Sequence, residues 1–281
     1  MSAPDLSLGS LFGVKGKVAL VTGGGTGIGK MIAAALVQNG ATVYIASRKA
    51  AVVNAAAAEL TAMGPGKCHA LVADLGSKAQ AQALADLLKA REQKLHVLVN
   101  NAGMAWGNKL DDYDEANGWD RLMALNVKSV FYVTTALLPL LTAASAGNLD
   151  PARVINISSV AGSACSAEDH LSAPGNGTWS YATSKAAVNH LTRVLAHPLA
   201  RKTITINAIA PGVFPSRMTK FGIDKQLDAM QQMQPLGRIG TTEDMAGLAL
   251  FLCSRASAHI TGAVIPIDGG ATLNVTGLSK L

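Results

Sequence analysis

The stretch Lys17-Val-Ala-Leu-Val-Thr22, running directly into Gly23-Gly-Gly-Thr-Gly-Ile-Gly29, decides the fold. A short run rich in β-branched residues ends in glycines, which predicts a strand followed by a tight turn. Residues 28–39 then carry the apolar spacing of a helix, and residues 41–47 (Ala-Thr-Val-Tyr-Ile-Ala-Ser) read as a second strand. Strand, turn, helix and strand make one βαβ unit, whose two strands lie parallel.

The same alternation continues outward. Helices are predicted over residues 50–63 and 77–89, with strands over 68–74 and 96–100. Beyond them come strands at 153–158, 203–209 and 264–267, and helices at 119–138, 181–200 and 241–252. Near-continuous apolar strands joined by helices imply a Rossmann-like, doubly wound α/β fold: a seven-stranded parallel sheet in a single domain, covered by helices on both faces. Such folds bind ligands beyond the carboxyl ends of the strands. Two stretches break the rhythm. Residues 162–178 are polar with Gly and Pro, and residues 212–240 contain Pro215, Met218, Phe221, Met230 and Met233.

Composition agrees with one folded domain. The 281 residues are 49% hydrophobic and 15% charged, enough apolar surface for a large core and too little charge for disorder. The formal net charge is +6, yet Lys and Arg are scattered, so no stripe suited to nucleic acid is expected and small phosphorylated ligands fit better. No apolar run reaches membrane-spanning length, and the first eight residues lack the pattern of a secretory signal, so neither insertion nor secretion is expected. Cys68, Cys165 and Cys253 are widely separated and read as reduced packing thiols. The six histidines include only one same-helix pair, His190 and His197, without a third partner, so no metal is expected.

Two constellations carry chemistry. The glycine turn follows the spacing T-G-x-x-x-G-x-G, with Gly23, Gly27 and Gly29 at the fixed positions and Thr26 and Ile28 between them. Such a turn lets backbone approach a pyrophosphate, which the free N–H groups and dipole of the following helix stabilise. Tyr181 and Lys185, four positions apart on a predicted helix, share one face. A free phenol titrates near 10, so making it a proton donor and acceptor at neutral pH takes roughly 4 kcal/mol, part of which a neighbouring ammonium supplies.

These pieces resemble the short-chain dehydrogenase/reductase family. The ordered set Thr22 to Gly29, Asp74-Leu75, Asn100-Asn-Ala-Gly103, Asn126, Ser158-Ser159-Val-Ala-Gly162, Tyr181-Ala-Thr-Ser-Lys185 and Pro211-Gly212 covers residues 14–272. Within the family, Trp119, Leu125-Asn-Val127 and Phe214-Pro-Ser-Arg-Met218 are most similar to bacterial β-ketoacyl (3-oxoacyl) carrier-protein reductases, particularly those of rhamnolipid synthesis.

The resemblance implies a catalytic set of Asn126, Ser159, Tyr181 and Lys185, with Ser159 polarising a carbonyl, Tyr181 donating the proton, Lys185 tuning it and Asn126 holding a proton relay. It also implies a cofactor site drawing on Asp74, Leu75, Asn101, Ala102, Gly103, Pro211, Gly212, Val213 and Ser216, with Lys185 on the nicotinamide ribose. Homotetramers built through the helices containing Asn126 and Tyr181 are a further implication.

The end of the second strand addresses the nucleotide. It reads Ser47-Arg48-Lys49, with no acid to accept a ribose 2′-hydroxyl and two cations suited to the extra phosphate of NADP(H). The expected activity is an NADPH-dependent carbonyl reductase acting on a ketone, a 3-oxoacyl thioester or a polyketide-like substrate. Alternatives are an NADP-dependent secondary alcohol dehydrogenase, a peroxisomal dienoyl-CoA reductase and a non-catalytic NADP-binding scaffold. The final tripeptide Ser279-Lys280-Leu281 reads as a peroxisomal address, with an import receptor as partner. Ser159 and Tyr181 lie 22 positions apart, a wider gap than the family usually shows, so residues 164–179 contain an insertion expected to project over the substrate mouth.

Overall fold

The computed structural model describes residues 3–164, 166–168 and 173–273. Cys165, Asp169 and His170 of the insertion, and the tripeptide Ser279-Lys280-Leu281, lie outside the described residues.

Seven strands form one sheet in the order β3-β2-β1-β4-β5-β6-β7. They are β1 (Val18–Thr22), β2 (Thr42–Ser47), β3 (Lys67–Val72), β4 (Val97–Asn100), β5 (Ala152–Ile157), β6 (Ile204–Pro211) and β7 (Val264–Ile267), each within two residues of its expected place. Every neighbouring pair runs parallel. Alternate side chains feed opposite faces: Val21, Ile45 and Val99 join the core beneath helices Gly27–Gln38 and Thr242–Cys253. Leu20, Leu98 and Val154 join the other core, with Leu84 of Lys78–Lys89 and Leu199 of Trp179–Ala200. Burial of the central strands on both faces explains why they read as near-continuous apolar runs, while the edge strand β3 is partly exposed.

The connection reverses direction beside β1, which lies between β2 and β4. The carboxyl ends of β1 and β4 therefore border the crevice where such sheets hold ligands.

Two expectations need correction. The single helix expected over residues 119–138 is two elements: Glu115–Ala136, and Leu138–Ala144, bent by 56° from it. Pro139 sits in the first turn of the second helix, where its missing N–H costs nothing but continuation of the preceding helix is blocked. The first contains π-helical turns at Glu115–Asp120 and Ala124–Lys128, the latter closed by Ser129 N–H donating to the Ala124 carbonyl. The stretch 212–240, read as irregular, contains helix Lys220–Gln232, kinked at Gln226. Of Met218, Phe221, Met230 and Met233 only Met230 is buried; the other three are about half exposed (48%, 53% and 46%), so the four do not pack as a helix core. Among the described residues no single helix is long and apolar enough to cross a membrane, and both Cys68 and Cys253 are buried, their thiols pushed up to about 12 by burial.

Candidate active site

The glycine turn is shaped by what surrounds it. Gly23 and Gly27 hold φ of +66° and +53°, which L side chains rarely adopt. A Cβ on Gly27 would approach the Ser216 Cβ to 3.0 Å, so this glycine admits the loop after β6 to the crevice. Asn101 closes the opposite side: its Nδ2 donates to the carbonyls of Thr22 (2.9 Å) and Gly23 (3.2 Å). The Thr22 hydroxyl oxygen accepts from the Asn101 and Ala102 N–H groups, both at 3.0 Å. The Asn-Asn-Ala-Gly segment after β4 is thereby stitched to the turn after β1.

Helix Gly27–Gln38 opens on Thr26, whose side chain makes no cap bond, and its first turn contains no acid. Its leading N–H groups are thus available to an anion. Gly23 N–H donates to Ala46 O at 2.7 Å, which places the end of β2 beside the turn. Ser47 is half-buried there, and Arg48 and Lys49 are exposed. Lys49 precedes helix Ala50–Thr61, again with no side-chain cap and no acid in the first turn. The donor set is cationic and suits a phosphate-bearing nucleotide.

The remaining cofactor candidates sit where the strands end. Asp74 is exposed beyond β3, and its Oδ1 accepts from the Leu75 N–H at 2.7 Å. The following helix is capped by Ser77 instead, which leaves the second Asp74 oxygen clear of that duty. Leu75 is buried. Pro211 ends β6, and Gly212 packs so tightly on Asp268 that a Cβ would lie 2.9 Å from its Cα. Val213 O accepts from Gly240 N–H at 2.9 Å, and Ser216 N–H donates to Thr219 Oγ1 at 2.9 Å. The arrangement brings Gly27 and Ser216 together, and Gly23 and Asn101.

Helix Trp179–Ala200 carries Tyr181 and Lys185 on one face. Lys185 Nζ donates to Ile157 O at 2.8 Å and lies 5.5 Å from the Tyr181 ring centroid. Burial pulls the Lys185 ammonium down from 10.5 to about 8. Ser159 follows β5 and is half-buried, its Oγ accepting from Ala161 N–H at 3.2 Å as the cap of a short turn. Ser158 instead points inward, donating to Lys185 O at 3.2 Å. The neighbouring serines therefore divide: Ser159 caps the turn after β5 and Ser158 braces the helix.

Asn126 is buried in the π-turn and fully engaged. Its Oδ1 accepts from Met104 N–H (2.9 Å), and its Nδ2 donates to Met104 O (2.9 Å) and Ser184 Oγ (3.0 Å). Ser184 in turn donates to the Tyr181 carbonyl at 2.7 Å. Asn126 thus connects the segment after β4 to the Tyr181 helix.

Sequence reasoning missed several supports. Asn100 donates to Asn156 Oδ1 at 2.9 Å, and Asn156 donates to Thr192 Oγ1 at 2.9 Å, a buried polar chain crossing from β4 through β5 to the Tyr181 helix. Asparagine inside otherwise apolar strands was the available signal, since a buried amide requires partners. Gly162 was quoted only as part of a motif; a Cβ there would stand 2.6 Å from the Lys185 carbonyl carbon.

The parallel sheet, the glycine turn at its reversal point and a buried Lys185 beside the Tyr181 ring are the frame of a dinucleotide-dependent oxidoreductase, and the chain belongs to the short-chain dehydrogenase/reductase family, whose members act on CH–OH and C=O groups. A family described as enoyl-(acyl carrier protein) reductase matches residues 23–272. Among individual proteins, the chain is 48% identical to the 3-oxoacyl-(acyl-carrier-protein) reductase of rhamnolipids biosynthesis from Pseudomonas aeruginosa, over 92% of this chain and 97% of that one. It is 33% identical to gluconate 5-dehydrogenase of Gluconobacter oxydans, over 98% of this chain and all (100%) of that one. Among solved structures, the Pseudomonas aeruginosa RhlG/NADP active-site complex superposes with a TM-score of 0.84 at 46% identity, covering 93% of this chain and 98% of that one.

Proposed function

We propose that the protein is an NADPH-dependent carbonyl reductase whose substrate is a 3-oxoacyl thioester or a related ketone. The observation that carries this reading is the Lys185 ammonium, buried beside the Tyr181 ring. The relative's name supports the thioester class, and the NADP complex of a chain this similar supports the nucleotide.

When bound, the reduced nicotinamide supplies hydride to the carbonyl carbon. The chain's own residues do the rest. Arg48 and Lys49 neutralise the 2′-phosphate, and the amino terminus of helix Gly27–Gln38 receives the pyrophosphate. Asp74 and Leu75 would border the adenine, and Asn101, Ala102, Gly103, Pro211, Gly212, Val213 and Ser216 would line the rest of the dinucleotide site. Ser159 Oγ donates to the substrate oxygen and polarises it. Tyr181 Oη gives its proton to that oxygen as the alcohol forms, so one proton and one hydride are consumed per ketone. Lys185 lowers the cost of the phenolate left behind and holds the nicotinamide ribose. Asn126 sustains the relay that returns a proton to Tyr181.

A panel of ketones, from acetoacetyl thioesters to sugar ketones, tests the substrate class with NADPH consumption as readout. Fastest kcat/KM on a 3-oxoacyl thioester is expected; a clear preference for a sugar ketone would move the chain toward the gluconate dehydrogenase type. The insertion over residues 164–179 is proposed to shape ketone selectivity. Homotetramers through the helices containing Asn126 and Tyr181 are proposed from the family, and sedimentation measures them. Peroxisomal delivery through Ser279-Lys280-Leu281 is proposed from the tripeptide, and imaging of a chain lacking it decides the matter.

A further inference from the structure

The extra residues between Ser159 and Tyr181 return to the body of the protein in a specific way. Thr178 N–H and Oγ1 both donate to Ala167 O, at 2.8 and 3.1 Å, which pinches the base of the insertion shut. Gly177 then pairs with Asn108 as an antiparallel bridge, Gly177 N–H donating to Asn108 O at 2.9 Å and Asn108 N–H to Gly177 O at 3.3 Å. Trp179 Nε1 donates to the same Asn108 carbonyl at 3.3 Å. The end of the insertion is therefore a strap, tying the loop that follows β4 to the first turn of helix Trp179–Ala200.

A buried hydroxyl pair completes the tie. Tyr113 Oη lies 2.7 Å from Ser180 Oγ and 3.1 Å from Trp106 O, and Ser180 Oγ lies 2.5 Å from Gly118 O. Two hydroxyl protons are shared over these three contacts: Ser180 reaches Gly118 O, Tyr113 reaches Trp106 O, and either hydroxyl can donate to the other. Ser180 is fully buried, and a buried hydroxyl that loses a partner is left with an unmet desolvation cost. Gly118 makes room for the arrangement, since a Cβ there would meet the Trp106 indole at 2.7 Å. Ser180 immediately precedes Tyr181.

We propose that Tyr113 is a positioning residue for Tyr181: through Ser180, its hydroxyl locks the first turn of the Tyr181 helix to the loop after β4, so that the phenol and one wall of the substrate site hold a single geometry. The inference rests on the reading of Tyr181 as proton donor. Among the described residues the polar contacts of Tyr113 are to Trp106 O and Ser180 Oγ, so its removal is expected to act on the chemical step and to leave cofactor binding alone. Displacing a reacting group by about 1 Å is enough to cost on the order of a hundredfold in rate.

The test is a double-mutant cycle on the NADPH-dependent reduction of a small ketone, read in the steady state as kcat and KM. Tyr113→Phe keeps the ring against Trp119 and deletes only the hydroxyl. The expected result is a loss of kcat of about tenfold with KM and NADPH affinity within about twofold, and a displaced upper limb of the kcat pH profile. Ser180→Ala should give a similar loss, and the double variant should be no worse than the more impaired single one, because both act through one bond. Wild-type kcat and pH profile in Tyr113→Phe, or single losses that multiply in the double variant, would overturn the inference. Tyr181→Phe separates the two readings: if it is inactive while Tyr113→Phe is unimpaired, only the positioning role fails; if Tyr181→Phe itself turns over normally, the proton-donor reading fails.

Discussion

Gly162 lacks a side chain at the point where Lys185 needs the space: a Cβ on Gly162 would lie 2.6 Å from the Lys185 carbonyl carbon and 2.8 Å from the Ala186 nitrogen. Both are backbone atoms, which cannot rotate away. The turn bearing Ser159 and the helix bearing Tyr181 therefore touch at van der Waals distance through a glycine. Gly162→Ala is expected to push the two apart, lowering kcat by at least about tenfold and stability by about 1–3 kcal/mol. Kinetics and thermal unfolding check it, and wild-type kcat in a folded variant would show that this contact does not set the site's geometry.

Burial of Lys185 predicts a pH dependence with a definite sign. Its ammonium is held near 8 in the folded chain against 10.5 when exposed. Between these values the unfolded chain carries more protons, so stability rises with pH across that window. Compared with Lys185→Met, the cofactor-free wild type should gain up to roughly 3 kcal/mol between pH 7.5 and 10.5. Denaturant unfolding of both proteins at several pH values measures the difference. A gap that stays constant across the window would mean that Lys185 is not held in an environment that disfavours its charge.

Arg48 should choose the nucleotide. It is exposed at the end of β2 with Lys49 beside it and no acid in the first turn of the following helix. Arg48→Ala is expected to weaken NADPH binding by roughly ten- to a hundredfold, the range of a charge-assisted hydrogen bond, and to leave NADH binding unchanged. Equal loss for both nucleotides would assign Arg48 to the fold and not to the 2′-phosphate.

The insertion should act on selectivity. Its closing end pairs with Asn108, on the loop that leaves β4 at the carboxyl edge of the sheet. Shortening residues 166–176 is expected to reorder kcat/KM among bulky ketones while NADPH affinity stays within about twofold, since loops tolerate changed length at little thermodynamic cost. An unchanged ranking would leave the segment as surface.

How far the sequence was readable depended on how local each signal was. The central strands β1, β2, β4, β5 and β6 were legible because burial on both faces makes them mostly apolar. The glycine turn and the Tyr181–Lys185 pair were legible because their spacing is itself the chemistry. Helix Lys220–Gln232 was not, because it is short of buried positions: Phe221 and Leu227 are exposed and Met230 is its one buried large side chain. The π-turn at Asn126 was hidden because one inserted residue does not disturb an apolar pattern enough to be seen. Asn100 and Asn156 become partners only when β4 and β5 align, and Tyr113 meets Ser180 across 67 positions of chain. No periodicity reports such contacts.

The central claim is that Tyr181 protonates a ketone reduced by NADPH. Wild type and Tyr181→Phe, each saturated with NADPH and mixed with a 3-oxoacyl thioester in a single turnover, test it most directly. Rapid loss of NADPH absorbance is expected in wild type, and a Tyr181→Phe rate below about a hundredth of that with NADPH affinity unchanged. A Tyr181→Phe rate close to wild type would contradict it.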